Sequence, residues 1–155
     1  MKKNICFVAF LVVLDQIIKL VVYNTLRVAG REIVLIPNIL SLNYIENYGA
    51  SFGLLFTQLF LIGLGLVIII AIIRILFSKK YELNNISKLG LSLVLAGGIG
   101  NLIDRIFRGY VIDYLDISKL FEFPIFNFAD MCVNIGVIIV FIMIIVKTVK
   151  AQEKM

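Results

Sequence analysis

Leu59-Phe60-Leu61-Ile62-Gly63-Leu64-Gly65-Leu66-Val67-Ile68-Ile69-Ile70-Ala71-Ile72-Ile73 carries no polar or charged side chain. A helix built from this run is apolar on every face, so it calls for an apolar solvent rather than a core on one side. Continued to residue 77, it approaches the ~20 residues that a helix needs to cross the hydrocarbon of a bilayer. Three more runs of the same kind cover residues 5–23, 89–107 and 132–149. They predict an all-α membrane protein of four transmembrane helices, a single domain over residues 1–155. Composition agrees: 61% of 155 residues are hydrophobic, 16% are charged, and the mean hydropathy is +1.05. One soluble core of this length could not hide so much apolar surface.

The first run begins after Lys2 and Lys3 in the manner of a secretory signal, but it contains Asp15 and Lys19, and no small-residue cleavage pattern follows. It is read as a retained helix. Orientation follows from the cations. Lys2, Lys3, Arg74, Lys79, Lys80, Lys88, Lys147, Lys150 and Lys154 fall on one side of the spans. Arg27, Arg31, Arg105, Arg108 and Lys119 fall on the other, with Lys19 near the outer end of the first span. The excess predicts that both termini are cytoplasmic. Topology therefore accounts for the net charge of +5 and the pI of about 9.3 better than a nucleic-acid partner does.

The carboxylates run the opposite way. Glu32, Glu46, Asp104, Asp113, Asp116, Glu122 and Asp130 lie at or beyond the outer face. The two outer segments also differ in texture from the short polar inner loop at 78–88. Residues 29–56 contain β-prone runs at 32–37 and 39–45, broken by Pro37-Asn38, which predict a small β-rich segment on the membrane surface. Residues 109–130 are amphipathic and rich in Phe and Ile, as a short interfacial helix or loop would be. Function is expected on that side.

Absences narrow the chemistry. Without histidine, Ser-His-Asp, Cys-His and imidazole-based zinc sites are excluded. Cys6 and Cys132 lack CxxC spacing and sit in apolar runs, so neither a disulfide nor a ligand pair is expected. Gly97-Gly98-Ile99-Gly100-Asn101-Leu102-Ile103-Asp104-Arg105 allows close helix approach but lacks the Gly-Lys-Ser/Thr of a phosphate loop. Asn101 with Arg105, and Asp104 with Arg108, share helix faces at a spacing of four; a polar clasp explains them as well as a site does. Asp15 and Lys19 share a face in the same way and soften each other's burial. Asn47-Tyr48-Gly49 is compatible with a simple turn.

Asp113, in Val111-Ile112-Asp113-Tyr114, and Asp130, in Phe126-Asn127-Phe128-Ala129-Asp130, are each framed by apolar residues. Asp130 at the entrance of a helix could serve as an N-cap. That reading does not extend to Asp113, which gains nothing from ionising without a partner or water. Two carboxyls held close share a proton. The ionised member can activate a water, while the protonated one polarises an amide carbonyl and later serves the departing amine. This is peptide hydrolysis without histidine, serine nucleophile, metal or cofactor.

Asp15-Gln16-x-x-Lys19, Asn47-x-Gly49-Ala50-Ser51-Phe52, Gly100-Asn101-x-x-Asp104-Arg105, Val111-Ile112-Asp113-Tyr114 and Phe126-Asn127-x-Ala129-Asp130 follow one another in the order seen in lipoprotein signal peptidases (signal peptidase II), and the chain resembles that family over nearly its whole length. Ser51, where a second alanine is common, is a mild departure. The resemblance implies an aspartic peptidase of the bacterial cell membrane. Its substrate would be a prolipoprotein, cut just before the cysteine that bears a diacylglyceryl group. It assigns Asp113 and Asp130 to the catalytic pair and makes Asn101, Arg105 and Asn127 polar supports. Asp15, Lys19, Asn47, Gly49 and Asp104 would hold substrate or shape, and the segment around 29–56 would form a cradle over the substrate. It also implies sensitivity to globomycin. Membrane lipid is the remaining expected partner, nucleic acid is not one, and four spans suffice for a monomer. A proton or cation path would need polar residues along a whole transmembrane route, which residues 59–73 do not offer. A purely structural protein would use the aspartates only as caps and arginine partners.

Overall fold

The computed structural model describes residues 2–30, 32–49, 58–78 and 80–152. Four helices are long and apolar enough to cross a membrane. They are α1 (Lys2–Val22), α2 (Gln58–Phe77), α3 (Asn85–Phe107) and α4 (Phe128–Gln152). Large apolar side chains such as Phe10, Val67 and Phe141 stand exposed on their outer faces, as lipid-facing residues do. A wider π-type turn at Tyr23–Arg27 continues α1. α3 and α4 begin four residues earlier than the apolar runs predict, because polar caps set their true starts. Asn84 Oδ1 accepts from Ser87 N at 2.8 Å to open α3, and Asn127 does the same for α4.

α3 is the hub, lying against α1, α2 and α4, and its closest partner is α4. Small residues make that closeness possible. A Cβ on Gly97 would stand 2.2 Å from Ala129 O, and one on Gly136 would stand 2.5 Å from Gly90 O. Dispersion between backbones in near contact is what joins helices in lipid, where burial of apolar surface gives no net drive.

Beyond the site end of the bundle lies an antiparallel sheet in the order β1 (Ile33–Ile36), β2 (Leu40–Asn47), β3 (Val111–Asp116). The first two strands are the predicted pair, turning at Pro37-Asn38 with Asn38 at φ 59°. The rest of that outer segment, 50–57, lies outside the described residues, as do Arg31, Lys79 and Lys154. The third strand departs from the expectation of an interfacial helix or loop over 109–130. That segment is a strand at 111–116 followed by turns, and β2 pairs with it through Ile45–Asp113 and Asn47–Val111. Gly109, at φ 79°, makes the sharp exit from α3 that aims the chain into the sheet. Val22, Leu26, Ile112 and Tyr114 form the cluster that seats the sheet on α1.

Candidate active site

Asp113 sits on β3 and is 2% exposed. After the turns that follow β3, the chain returns to it: Leu115 N donates to Phe126 O at 2.7 Å and Phe126 N to Leu115 O at 3.1 Å. That single bridge brings Asn127 to Asp113 and starts α4. Asn127 Oδ1 then accepts from Asp130 N at 2.9 Å, while Asp130 Oδ2 accepts from Asn127 N at 3.2 Å. This is a reciprocal capping box with asparagine as the cap and aspartate three residues on. Asp130 is thus not the cap itself but the residue that answers it. A further orphan donor of the helix start, Phe128 N, reaches the Tyr114 hydroxyl at 3.2 Å.

Asn127 joins the two aspartates. With its carbonyl committed to Asp130 N, its Nδ2 donates to Asp113 Oδ1 at 2.6 Å. Asp113 Oδ2 takes a second amide hydrogen, from Asn47 Nδ2 at 2.7 Å. Asn47 lies diagonally across the β2–β3 ladder, and its Oδ1 also accepts from Gly49 N at 2.8 Å, in a turn completed by Gly49 at φ 89°. Asp130 Oδ1 is held by Asn101 Nδ2 at 2.7 Å. Burial pushes the Asp113 carboxyl up to about 6; the Asn47 hydrogen bond works against this, and the charge of Asp130 adds to it.

Behind the aspartates lies a buried ionic layer. Lys19, with no exposed surface, contacts Asp15 Oδ2 at 3.0 Å and Asp104 Oδ2 at 2.9 Å, and donates to Asn101 Oδ1 at 2.9 Å. Asp104 Oδ1 pairs with Arg108, and Asp104 Oδ2 accepts from Ile112 N at 3.3 Å, tying α3 to β3. Gln16 bridges Asp15 Oδ2 at 3.1 Å and Gly100 O at 3.2 Å. Gly100 is the gap into which Asp15 fits, since a Cβ there would stand 2.6 Å from Asp15 Oδ2. Arg105 Nη1 donates to Asn101 O at 3.4 Å, and its Nε has no partner among the described residues. Arg105, Asn101 and Asp130 line one wall of a cavity of about 250 Å³ whose other walls include Leu61 and Gly65 of α2 and Val133 of α4.

Every predicted site residue therefore lies in one connected hydrogen-bonded system, with Ala50-Ser51-Phe52 outside the described residues. Arg108 meets Asp104 as their spacing of four implies, whereas two supports carry no sequence expectation: Tyr114, which holds the first turn of α4, and Gln16, which also reaches Asp104 Oδ1 at 3.4 Å. For Gln16 the signal is a polar residue inside an otherwise apolar run; for Tyr114 nothing in one sequence distinguishes its hydroxyl from that of a surface tyrosine. Among the described residues no group of His, Cys, Asp and Glu is arranged to hold a metal ion. Cys6 is exposed and Cys132 buried, each a free thiol.

Residues 7–146 match the model of a family described as Signal peptidase (SPase) II. A protein of Clostridium tetani named Lipoprotein signal peptidase is 42% identical over 137 residues, 86% of each chain. One of the same name from Staphylococcus aureus is 34% identical over 153 residues, 97% of this chain and 93% of that one. Another, from Fusobacterium nucleatum, is 36% identical over 85% of this chain and 79% of its own. A bacterial membrane enzyme solved by the in meso method at 2.3 Å superposes with a TM-score of 0.83 at 32% identity, covering 96% of this chain and 90% of that one.

Proposed function

The chain belongs to the signal peptidase II family, a membrane aspartic peptidase that cleaves signal peptides from prolipoproteins, and from that premise we propose that Asp113 and Asp130 are its catalytic pair. The observation that carries this reading is the bridge made by Asn127, which hydrogen-bonds one oxygen of Asp113 and caps against Asp130 with the same side chain. Two carboxyls tied to one amide are held in fixed relation, which proximity catalysis requires.

In the proposed reaction a water lies between the aspartates. The ionised carboxylate takes its proton as oxygen attacks the scissile carbonyl, while the protonated carboxyl donates to that carbonyl's developing oxyanion. Return of a proton to the departing amide nitrogen lets the C–N bond break. The titration belongs to the pair. The cavity beside Asp130, walled by Leu61 and Gly65, receives the small residues before the cleaved bond, and Arg105, which lines it and whose buried Nε has no partner among the described residues, turns to donate to a substrate carbonyl. The diacylglyceryl chains of the substrate cysteine stay in lipid beside the helices. The sheet end faces outward from the bacterial cell membrane, both termini are cytoplasmic, residues 1–155 act as a single domain, and the enzyme works as a monomer.

The test is cleavage in detergent of a diacylglyceryl-modified prolipoprotein beside its unmodified precursor. Asp113→Asn and Asp130→Asn are each expected to lower turnover by about 10²–10⁴-fold without loss of membrane insertion. Near-normal activity in either variant removes that residue from the pair, and equal cleavage of the two precursors removes lipid recognition.

A further inference from the structure

At the end of the bundle remote from the aspartates, α1 and α2 both rest on α3 but scarcely touch each other. Between them opens a groove of about 1460 Å³ that shares no lining residue with the cavity beside Asp130. Ligand pockets for compact small molecules occupy roughly 300–1,000 Å³, so this one suits a longer occupant. Its floor is one face of α3, on which Lys88, Ser92, Leu95 and Ile99 follow at helical spacing. At ~1.5 Å per residue, Ser92 lies ~6 Å deeper than Lys88, and Ile99 ~17 Å deeper. The mouth carries Lys3 and Lys88 against the one carboxylate of Glu82 among the described lining residues. No ion pair among the described residues uses either lysine. Ser92 is 1% exposed, and its hydroxyl has no hydrogen-bond partner among the described residues.

Cation at the rim, an unpaired hydroxyl one turn below and aliphatic side chains beneath repeat the order of groups along a phospholipid. We infer that the groove binds an anionic phospholipid of the leaflet at the lysine-rich end. Its phosphate would meet Lys3 and Lys88, an ester carbonyl would accept from Ser92, and one acyl chain would run along Leu95 and Ile99. The depth agrees, because one leaflet supplies ~15 Å of hydrocarbon, half of the ~30 Å core. A signal peptide is the rival occupant, but its basic leading region would face the same two lysines and be repelled.

The full chain, purified in detergent, is equilibrated with equal amounts of phosphatidylglycerol and phosphatidylcholine, and retained lipid is read by native mass spectrometry. Phosphatidylglycerol is expected to be favoured by about fivefold for each lysine that reaches it. Lys3→Gln and Lys88→Gln each reduce that preference while prolipoprotein cleavage continues. Ser92→Ala lowers retention of both lipids alike, since both carry the ester. Equal retention of the two lipids, or a preference unchanged in both lysine variants, overturns the assignment. So does expulsion of the lipid by a lipidated precursor held on the Asp130→Asn protein. The lysine variants alter exposed or partly exposed side chains, so they decide the matter even if Ser92→Ala folds poorly.

Discussion

Lys19 has three N–H donors and no acceptor, so each neighbour must turn an oxygen toward it. Asp15 and Asp104 do so as carboxylates, and Asn101 must do so with its carbonyl. The Asn101 amide is then committed, and its NH₂ can only face Asp130. Asp130 N fixes Asn127 in the same way and aims its NH₂ at Asp113. The sequence shows a lysine inside a span and an aspartate four residues before it, and a pair is the natural reading; that the pair also orients a distant amide could not be read without α3 beside α1. Asn47 offers the sharpest test of the resulting electrostatics. Its hydrogen bond holds the Asp113 carboxyl below where burial alone would put it. Removing a donor to the ionised form favours the protonated form, so Asn47→Ala raises the affinity for the proton further. A pair that works with one shared proton stalls once that proton is lost, so kcat/KM falls as pH rises through a limb near 6. In Asn47→Ala that limb moves to higher pH, and kcat/KM at its optimum drops by about 10- to 100-fold, as loss of a hydrogen bond to a charged group costs about 1.5–3 kcal/mol. A limb that stays in place or moves down argues against Asp113 as part of the titrating pair.

The four helices were legible because lipid imposes a length on any apolar run that crosses it. Their true starts were not, since caps such as Asn84 and Asn127 are polar residues outside those runs. β3 was hidden for a different reason. Val111, Ile112, Asp113 and Tyr114 are all buried, on both faces of the strand, so the alternation that marks a half-exposed strand is missing. Glycines in the third span were legible as close-approach positions, but not which ones bear on the site. Geometry separates them. A methyl on Gly97 meets Ala129 O and Val133 Cγ2, within the turn that carries Asp130, whereas one on Gly136 meets Gly90 O and Val94, two turns away. Gly97→Ala and Gly136→Ala are each expected to cost about 1–3 kcal/mol of stability by overpacking, seen as a lowered melting temperature in detergent. Gly97→Ala should also cut turnover by at least tenfold more than Gly136→Ala does, because it displaces the turn of α4 that carries Asp130, the carboxylate proposed for catalysis. Gly63→Ala, with nothing among the described residues within 4 Å of its added carbon, is the control and should change neither. Equal activity in the first two variants means that Asp130 does not depend on the α3–α4 crossing.

At the scale of the whole molecule, charge is sorted by pairing as well as by number. Cations at the sheet end are largely spent internally: Lys19 on Asp15 and Asp104, Arg108 on Asp104, Arg27 on Glu46 at 3.4 Å and Lys119 on Glu32 at 2.5 Å. The opposite end carries Lys2, Lys3, Arg74, Lys80, Lys88, Lys147 and Lys150, none in an ion pair among the described residues. The asymmetry of free positive charge thus exceeds the asymmetry of counts from which orientation was first read. Orientation by positive charge acts on residues near span ends in short loops, and carboxylates contribute little to it. Glu82 and Glu122 therefore make matched reporters: both are exposed, both lie in short connections, and replacing either leaves the cation pattern intact. In a Cys6→Ala background, where the remaining Cys132 is buried, a membrane-impermeant maleimide applied to sealed cells should label Glu122→Cys and spare Glu82→Cys until the membrane is opened. Labelling of Glu82→Cys alone would turn the molecule over. The aspartates would then face the cytoplasm, on the wrong side for the lipidated precursor of the proposed reaction.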